Sequence, residues 1–299
     1  MKIFLTGATG YIGGSLGLKL IDAGHSVHGL VRSPARAALL EKAGIHPVFG
    51  SLEDADIVGK AAREADTVIN AANSDHFEVL ETLIDALRWT GKTLIHTSGS
   101  SVVCDDARGY AASSKAYSDD EPFIPVPNKL ARAEINRRVR RAGIELGIRS
   151  MVICPTLIYG KGRGLHSESI QVPRLISKSR ELGAGVHIGR GLNIWSNVFI
   201  DDVVDLFILA LDRAPSGSFF FAENGEESFL HIASAISRRL GFGGKTVEWP
   251  FDEAAAELGS ELARFSFASN SRVKAINARK ALGWNPSGPP LAKGIEADL

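Results

Sequence analysis

Apolar residues fall along the chain in two alternating rhythms. Residues 2–6 (KIFLT) form a short run suited to a buried strand, a glycine-rich turn follows, and over 12–23 apolar positions recur at helical spacing until Gly24 stops them. The rhythm then repeats as a strand at 26–31 (SVHGLV), a helix at 35–43 ended by Gly44, a strand at 46–49, a helix at 53–63, a strand at 67–71, a helix at 77–89 and a strand at 93–97 (TLIHT). Strands regularly separated by single helices predict an α/β protein built on a parallel, doubly wound sheet.

Residues 99–127 break the rhythm with glycine, serine, aspartate and three prolines, which predicts a long loop beside the carboxyl end of the fifth strand, where loops line sites. An arginine-rich helix at 129–142 and a sixth strand at 150–154 (SMVIC), ended by Pro155, complete the first unit. Beyond Tyr159 the glycines of KGRG open a new region. It has a helix at 170–182, a Gly-Arg-Gly turn at 189–191, a helix at 201–211 with Asp201 as N-cap, and strands at 219–222 and 246–249 around a helix at 231–240. The expected organisation is a dinucleotide-binding Rossmann domain over 1–158 and a smaller C-terminal substrate lobe over 159–299, from which about 192–212 returns to the first domain.

Composition narrows the function classes. The 34 lysines and arginines balance 34 aspartates and glutamates, so no overall field draws nucleic acid or an anionic membrane, and a small neutral or singly charged substrate is expected. Arg137, Arg138, Arg140 and Arg141 spread over more than one side of their helix, with Glu134 placed to pair with Arg138, so they read as a solvated face. Cys104 and Cys154 lack metal-ligand spacing and predict two reduced thiols and no metal site in a cytoplasmic protein. No apolar stretch approaches the roughly 20 residues that span a bilayer, and neither membrane insertion nor targeting is expected. Oligomeric state is not encoded legibly, and a homodimer is compatible with the pattern.

The chemistry centres on Gly7-Ala8-Thr9-Gly10-Tyr11-Ile12-Gly13, three glycines between a strand and a helix. There the chain turns tightly and backbone N–H groups meet a pyrophosphate at the helix N-terminus, where side chains would block it. The spacing is Gly-x-x-Gly-x-x-Gly, and it gains force from the flanking strand and helix. A Cβ at Gly10 or Gly13 is expected to abolish cofactor binding and leave the fold near intact.

With Thr6 in front, this turn resembles the opening of the extended short-chain dehydrogenase/reductase superfamily, also called the NAD-dependent epimerase/dehydratase family. The resemblance continues through Gly50-Ser51-Leu52, Thr97-Ser98-Gly99-Ser100, Pro155-Thr156-Leu157-Ile158-Tyr159-Gly160, the run from Trp195 to Val203, and Leu282-Gly283-Trp284-Asn285-Pro286. It implies a nicotinamide cofactor held by Gly7, Thr9, Gly10, Tyr11, Ile12, Gly13, Ser51, Leu52, Ala71, Ala72 and Pro155. Redox members of that family carry a serine or threonine after the fifth strand and Tyr-x-x-x-Lys at the next helix. Lys129 matches the lysine, but Pro125 stands where the tyrosine belongs, as in the atypical branch of the superfamily. Tyr110 and Lys115 are one residue too far apart, about 140° around a helix instead of about 40°.

The remaining candidates follow from position. Val31 ends the second strand and is followed by Arg32, with Arg36 a turn later, in place of the acidic residue that bonds a ribose 2′-OH, so NADP(H) is expected over NAD(H). Ser98, Ser100 and Lys129 are the catalytic candidates, with local backbone bonding or an exposed helix lysine as the plainer readings. Tyr110, Tyr159, His166 and Trp195 are substrate-pocket candidates, against ordinary packing. Two functions stay open: an NADP(H)-dependent reductase or epimerase/dehydratase acting on a carbonyl or alcohol, and an NADP(H)-binding redox sensor with little or no turnover.

Overall fold

The structure, a computed structural model, describes residues 1–297. Its first half is β1 (Lys2–Thr6), α1 (Tyr11–Asp22), β2 (Ser26–Val31), α2 (Pro34–Lys42), β3 (His46–Phe49), α3 (Ala55–Glu64), β4 (Thr67–Asn70), α4 (Phe77–Leu87), β5 (Thr93–Thr97), the short β6 (Tyr117–Ser118), α5 (Leu130–Glu145) and β7 (Arg149–Pro155). The second half is β8 (Leu157–Tyr159), α6 (Gln171–Leu182), β9 (Gly185–Ile188), β10 (Ile194–Phe199), α7 (Ile200–Arg213), β11 (Ser218–Ala222), β12 (Glu226–Ser228), α8 (Phe229–Arg239), β13 (Thr246–Trp249), α9 (Phe251–Leu258), α10 (Ser260–Leu262), β14 (Val273–Lys274), α11 (Ile276–Leu282) and α12 (Leu291–Glu296).

Seven strands form one parallel sheet in the order β11-β7-β5-β4-β1-β2-β3. Helices cover both faces, so β4 and β5 are buried along their whole length, including Thr67, Asn70, Thr93, His96 and Thr97. The chain leaves β1 toward β2 on one side and returns to β4 on the other, which makes the carboxyl ends of β1 and β4 the switch point where a Rossmann sheet binds its ligand.

Two apolar cores result. One lies under the large sheet and takes in α7, β11, Val273 and α11 as well as the N-terminal strands, so Ser218–Ala222 and 273–284 join the first unit although they lie far along the chain. The other gathers Leu157, Tyr159, Leu175, Val186, Trp195, Phe229, Trp249, Phe267 and Leu291 into the lobe. The loop after β5 owes its order to the C-terminal segment. Asp105 accepts from the backbone and side-chain amide of Asn270, and the Asp119 carboxylate accepts from the backbone N–H groups of Phe221, Ile276 and Asn277.

Several local expectations are corrected. Phe199, not Asp201, is the N-cap of α7, and Asp201 lies in the first turn, where its charge faces the helix dipole without a cap bond. Arg138 reaches across to Glu81 on α4 (2.7 Å), while Glu134 pairs with Arg137 (2.6 Å), because α4 and α5 pack side by side. Pro155, by contrast, ends β7 as expected, its missing N–H falling at the last rung of the ladder with Ala222.

Candidate functional site

At the switch point the three glycines have different reasons. Gly7 adopts φ +74°, and a Cβ there would lie 2.4 Å from the Ala71 carbonyl oxygen, so the turn after β1 presses against the loop after β4. A Cβ on Gly13 would lie 2.2 Å from the Gly7 carbonyl oxygen, which makes Gly13 a packing requirement of the turn itself. On Gly10, a Cβ meets only that oxygen, at 3.2 Å, so Gly10 is the position whose bareness serves an approaching ligand. The expectation that Gly13, like Gly10, tolerates a side chain without harm to the fold is therefore corrected. Gly10 caps α1 with no side-chain bond, leaving first-turn N–H groups for an anion.

A cavity of about 630 Å³ runs from this turn along the carboxyl ends of β1 to β4, lined by Gly7, Thr9, Leu30, Val31, Arg32, Ser33, Arg36, Gly50, Ser51, Leu52, Glu53, Ala72, Asn73 and His76. Among the described residues neither Arg32 nor Arg36 has a hydrogen bond or ion pair, although the Glu53 carboxylate lies near enough to Arg32 to feel its charge. Ser51 donates its backbone N–H and its hydroxyl to Asp54, which holds this wall of the cavity at 2.6 and 2.9 Å. Tyr11 turns its phenol away to the Gly160 carbonyl (2.7 Å), bolting α1 to the loop after β8, and burial drives that phenol's pKa upward. Ile12 packs on the core.

The other end of the site lies between β5, α5 and the lobe. Ser98 is buried beside the Cys154 thiol, which burial pushes up to about 12, and Ser100 pairs its Oγ with Ser271 at 3.0 Å. Lys129 is buried with its ammonium against the Glu261 carboxylate of α10 and 5.2 Å from the Phe265 ring centre. One turn on, Arg132 clamps Asp75 with two bonds of 2.7 and 2.5 Å and donates to the Ser101 hydroxyl at 2.7 Å. The Asp75 carboxyl is held below its usual range chiefly by those bonds. Behind them Thr6 donates to Asn70 (2.6 Å) and Asn70 faces His96 Nδ1 (3.1 Å), a buried chain across β1, β4 and β5. Desolvation lowers the His96 pKa to about 4, so the ring is neutral at neutral pH.

The structure does not bring the tyrosines here. Tyr110 donates to Glu248 (2.8 Å), Tyr159 bonds the Pro289 carbonyl, and Tyr117 stacks edge-on to Phe123. Pro125 lines a separate cavity of about 360 Å³ with Phe123, Leu130, Ala133 and Phe219. Trp195 is core, its indole N–H bonded to the Ser269 carbonyl (2.8 Å), and His166 is exposed on the loop before α6. Pro155 ends β7, and Ala71 follows β4 against Gly7. Asp75, Arg132, Glu261, Asn73 and His76 escaped the sequence reading. The signal for Arg132 was its i+3 spacing from Lys129 in a stretch that reads as one helix; Lys129 is the N-cap residue of α5 and Arg132 lies in its first turn.

Sheet order, switch-point cavity and glycine turn define a Rossmann-type nucleotide-binding protein. The chain belongs to the NAD dependent epimerase/dehydratase family, whose model matches residues 3–220. It is 32% identical over 336 aligned residues to oxidase ucsJ of Acremonium sp, covering 99% of this chain and 95% of that one. It is 28% identical to a 4-hydroxy-2-methyl-3-oxo-4-farnesyl-3,4-dihydroquinoline-1-oxide ketoreductase of Stigmatella aurantiaca, over 88% of this chain and 81% of that one. The fold is also that of UDP-glucuronic acid 4-epimerase of Bacillus cereus in complex with UDP-glucuronic acid and NAD, with a TM-score of 0.75 at 20% identity, over 99% and 97% of the two chains.

Proposed function

We propose that the protein is an NADP(H)-dependent oxidoreductase acting on a carbonyl or alcohol of a small molecule. The observation that carries this reading is the cavity that joins the glycine turn to two arginines that form no ion pair among the described residues. The turn fits a pyrophosphate, and Arg32 and Arg36 fit a 2′-phosphate in charge-assisted bonds. A ribose bearing only hydroxyls would leave that charge unanswered. When bound, the cofactor supplies or accepts a hydride at its nicotinamide. The relatives named an oxidase and a ketoreductase support redox chemistry. Lys129, at the far end, is our candidate to hold the nicotinamide ribose, a role that requires its ammonium to leave Glu261.

A second reading is favoured by Pro125 and by the closed contact of Lys129 with Glu261: a protein that binds NADP(H) and reports its redox state without turnover. Purified protein mixed with NADPH and a panel of aldehydes, diketones and sugar nucleotides separates the two. Slow, substrate-dependent loss of NADPH absorbance is expected. Binding of NADPH with no consumption by any compound favours the sensor.

A further inference from the structure

The sequence directs attention to serines and tyrosines as partners for a reacting oxygen, but Ser100, Tyr110 and Tyr159 spend their hydroxyls elsewhere and the Ser98 hydroxyl is buried beside Cys154. The carboxyl end of β5 carries a different donor. Gly99 lies there, and apart from its chain neighbours a Cβ built on it meets a single atom within 4 Å, Nη1 of Arg132 at 3.2 Å. The space in front of Gly99 is therefore open backbone on one side and guanidinium on the other. Arg132 is held rather than free: its side chain is 15% exposed, Asp75 fixes it through two bonds and Ser101 through a third. Those bonds use three of five N–H groups, so one hydrogen on each Nη remains.

We propose that Arg132 is the group that meets the oxygen of the bound substrate, donating from its fixed guanidinium to a carbonyl or to the alkoxide that forms from it. This rests on the oxidoreductase reading and deepens it. A guanidinium does not give up its proton at physiological pH, so its part is to stabilise negative charge as it develops on oxygen, and solvent exchanges the proton with the alkoxide. Asp75 keeps the donor oriented and offsets its charge. The ligand class that fits is a small carbonyl compound or its alcohol, and, as a non-reacting likeness of the alkoxide, a carboxylate.

The test is calorimetric titration of isobutyrate and benzoate onto the wild-type protein saturated with NADP+, and onto Arg132→Met, Arg132→Gln and Arg132→Lys. Saturable binding to the wild type is expected, weaker by at least about tenfold in the Met and Gln variants and partly restored in Lys, which keeps the charge without the fork. Affinity for 2′,5′-ADP, which fills only the adenosine end, is expected to stay within about twofold of wild type, showing an intact fold. Carboxylate binding that survives Arg132→Met, joint loss of 2′,5′-ADP binding in all three variants, or no carboxylate binding to the wild type each overturns the proposal. Arg132-dependent carboxylate binding without NADPH consumption by any carbonyl removes the oxidoreductase reading and leaves Arg132 as an oxyanion site.

Discussion

The two ends of the candidate site handle positive charge in opposite ways. At the end beside the glycine turn, Arg32 and Arg36 line a wide cavity and form no ion pair among the described residues, with Glu53 on the same wall. At the other end, each cation already has its anion: Lys129 with Glu261, Arg132 with Asp75, and Arg264 with Asp106. Cations left without partners wait for a charged ligand and set its identity. Cations clamped by carboxylates gain direction at the expense of long-range attraction, which suits them to orient a carbonyl and to meet the charge that develops on its oxygen.

The largest test of this contrast lies in the turn between the two ends. Gly13→Ala forces a methyl to within 2.2 Å of a backbone oxygen, so it is expected to cost about 3 kcal/mol or more of stability by denaturant unfolding. Gly10→Ala, with only a 3.2 Å contact, is expected to fold and melt near wild type while losing NADPH affinity by about tenfold or more. Equal melting of the two variants would show that the turn is looser than described.

His96 tests how rigid the paired end is. Its ordinary pKa of 6.5 is lowered to about 4 in the fold, so between these values the unfolded chain binds the extra proton. The contribution is complete above pH 6.5 and is lost as pH falls toward 4, amounting to about 3 kcal/mol for this one ring. Urea unfolding of wild type and His96→Gln at a series of pH values is expected to show a flatter acid limb in the variant. Parallel limbs would mean that water reaches the ring.

Smaller effects follow at the open end. Arg32→Ala is expected to remove about 1–3 kcal/mol of the preference for NADP(H) while leaving NAD(H) affinity nearly unchanged. Smaller still, Arg138→Ala breaks a half-exposed pair between α4 and α5 and is expected to cost less than about 1 kcal/mol in thermal unfolding. A larger loss would mean that this surface is buried in an assembly.

This order of effects mirrors what the chain reveals about itself. The glycine turn, the strand and helix rhythm, and the arginines after β2 are local features, and each was legible because the residues that act together are neighbours in sequence. Arg132, Asp75 and Glu261 come from α5, the loop after β4 and α10, and only packing of the lobe on the sheet brings the last of them to Lys129. Serines after β5 looked suited to catalysis because sequence shows that a hydroxyl is present but not which way it turns. Likewise Phe219 to Phe221, read with the lobe, belongs to the edge of the main sheet, since a parallel partner for β7 can come from any distance along the chain.

Calorimetric titration of the wild-type protein with NADPH and NADH under one buffer and salt condition tests the central claim most directly. The account predicts that NADPH binds more tightly by about five- to a hundredfold, with the difference shrinking as salt rises, because unpaired guanidinium groups meet a 2′-phosphate. Equal affinities, or tighter binding of NADH, would contradict it.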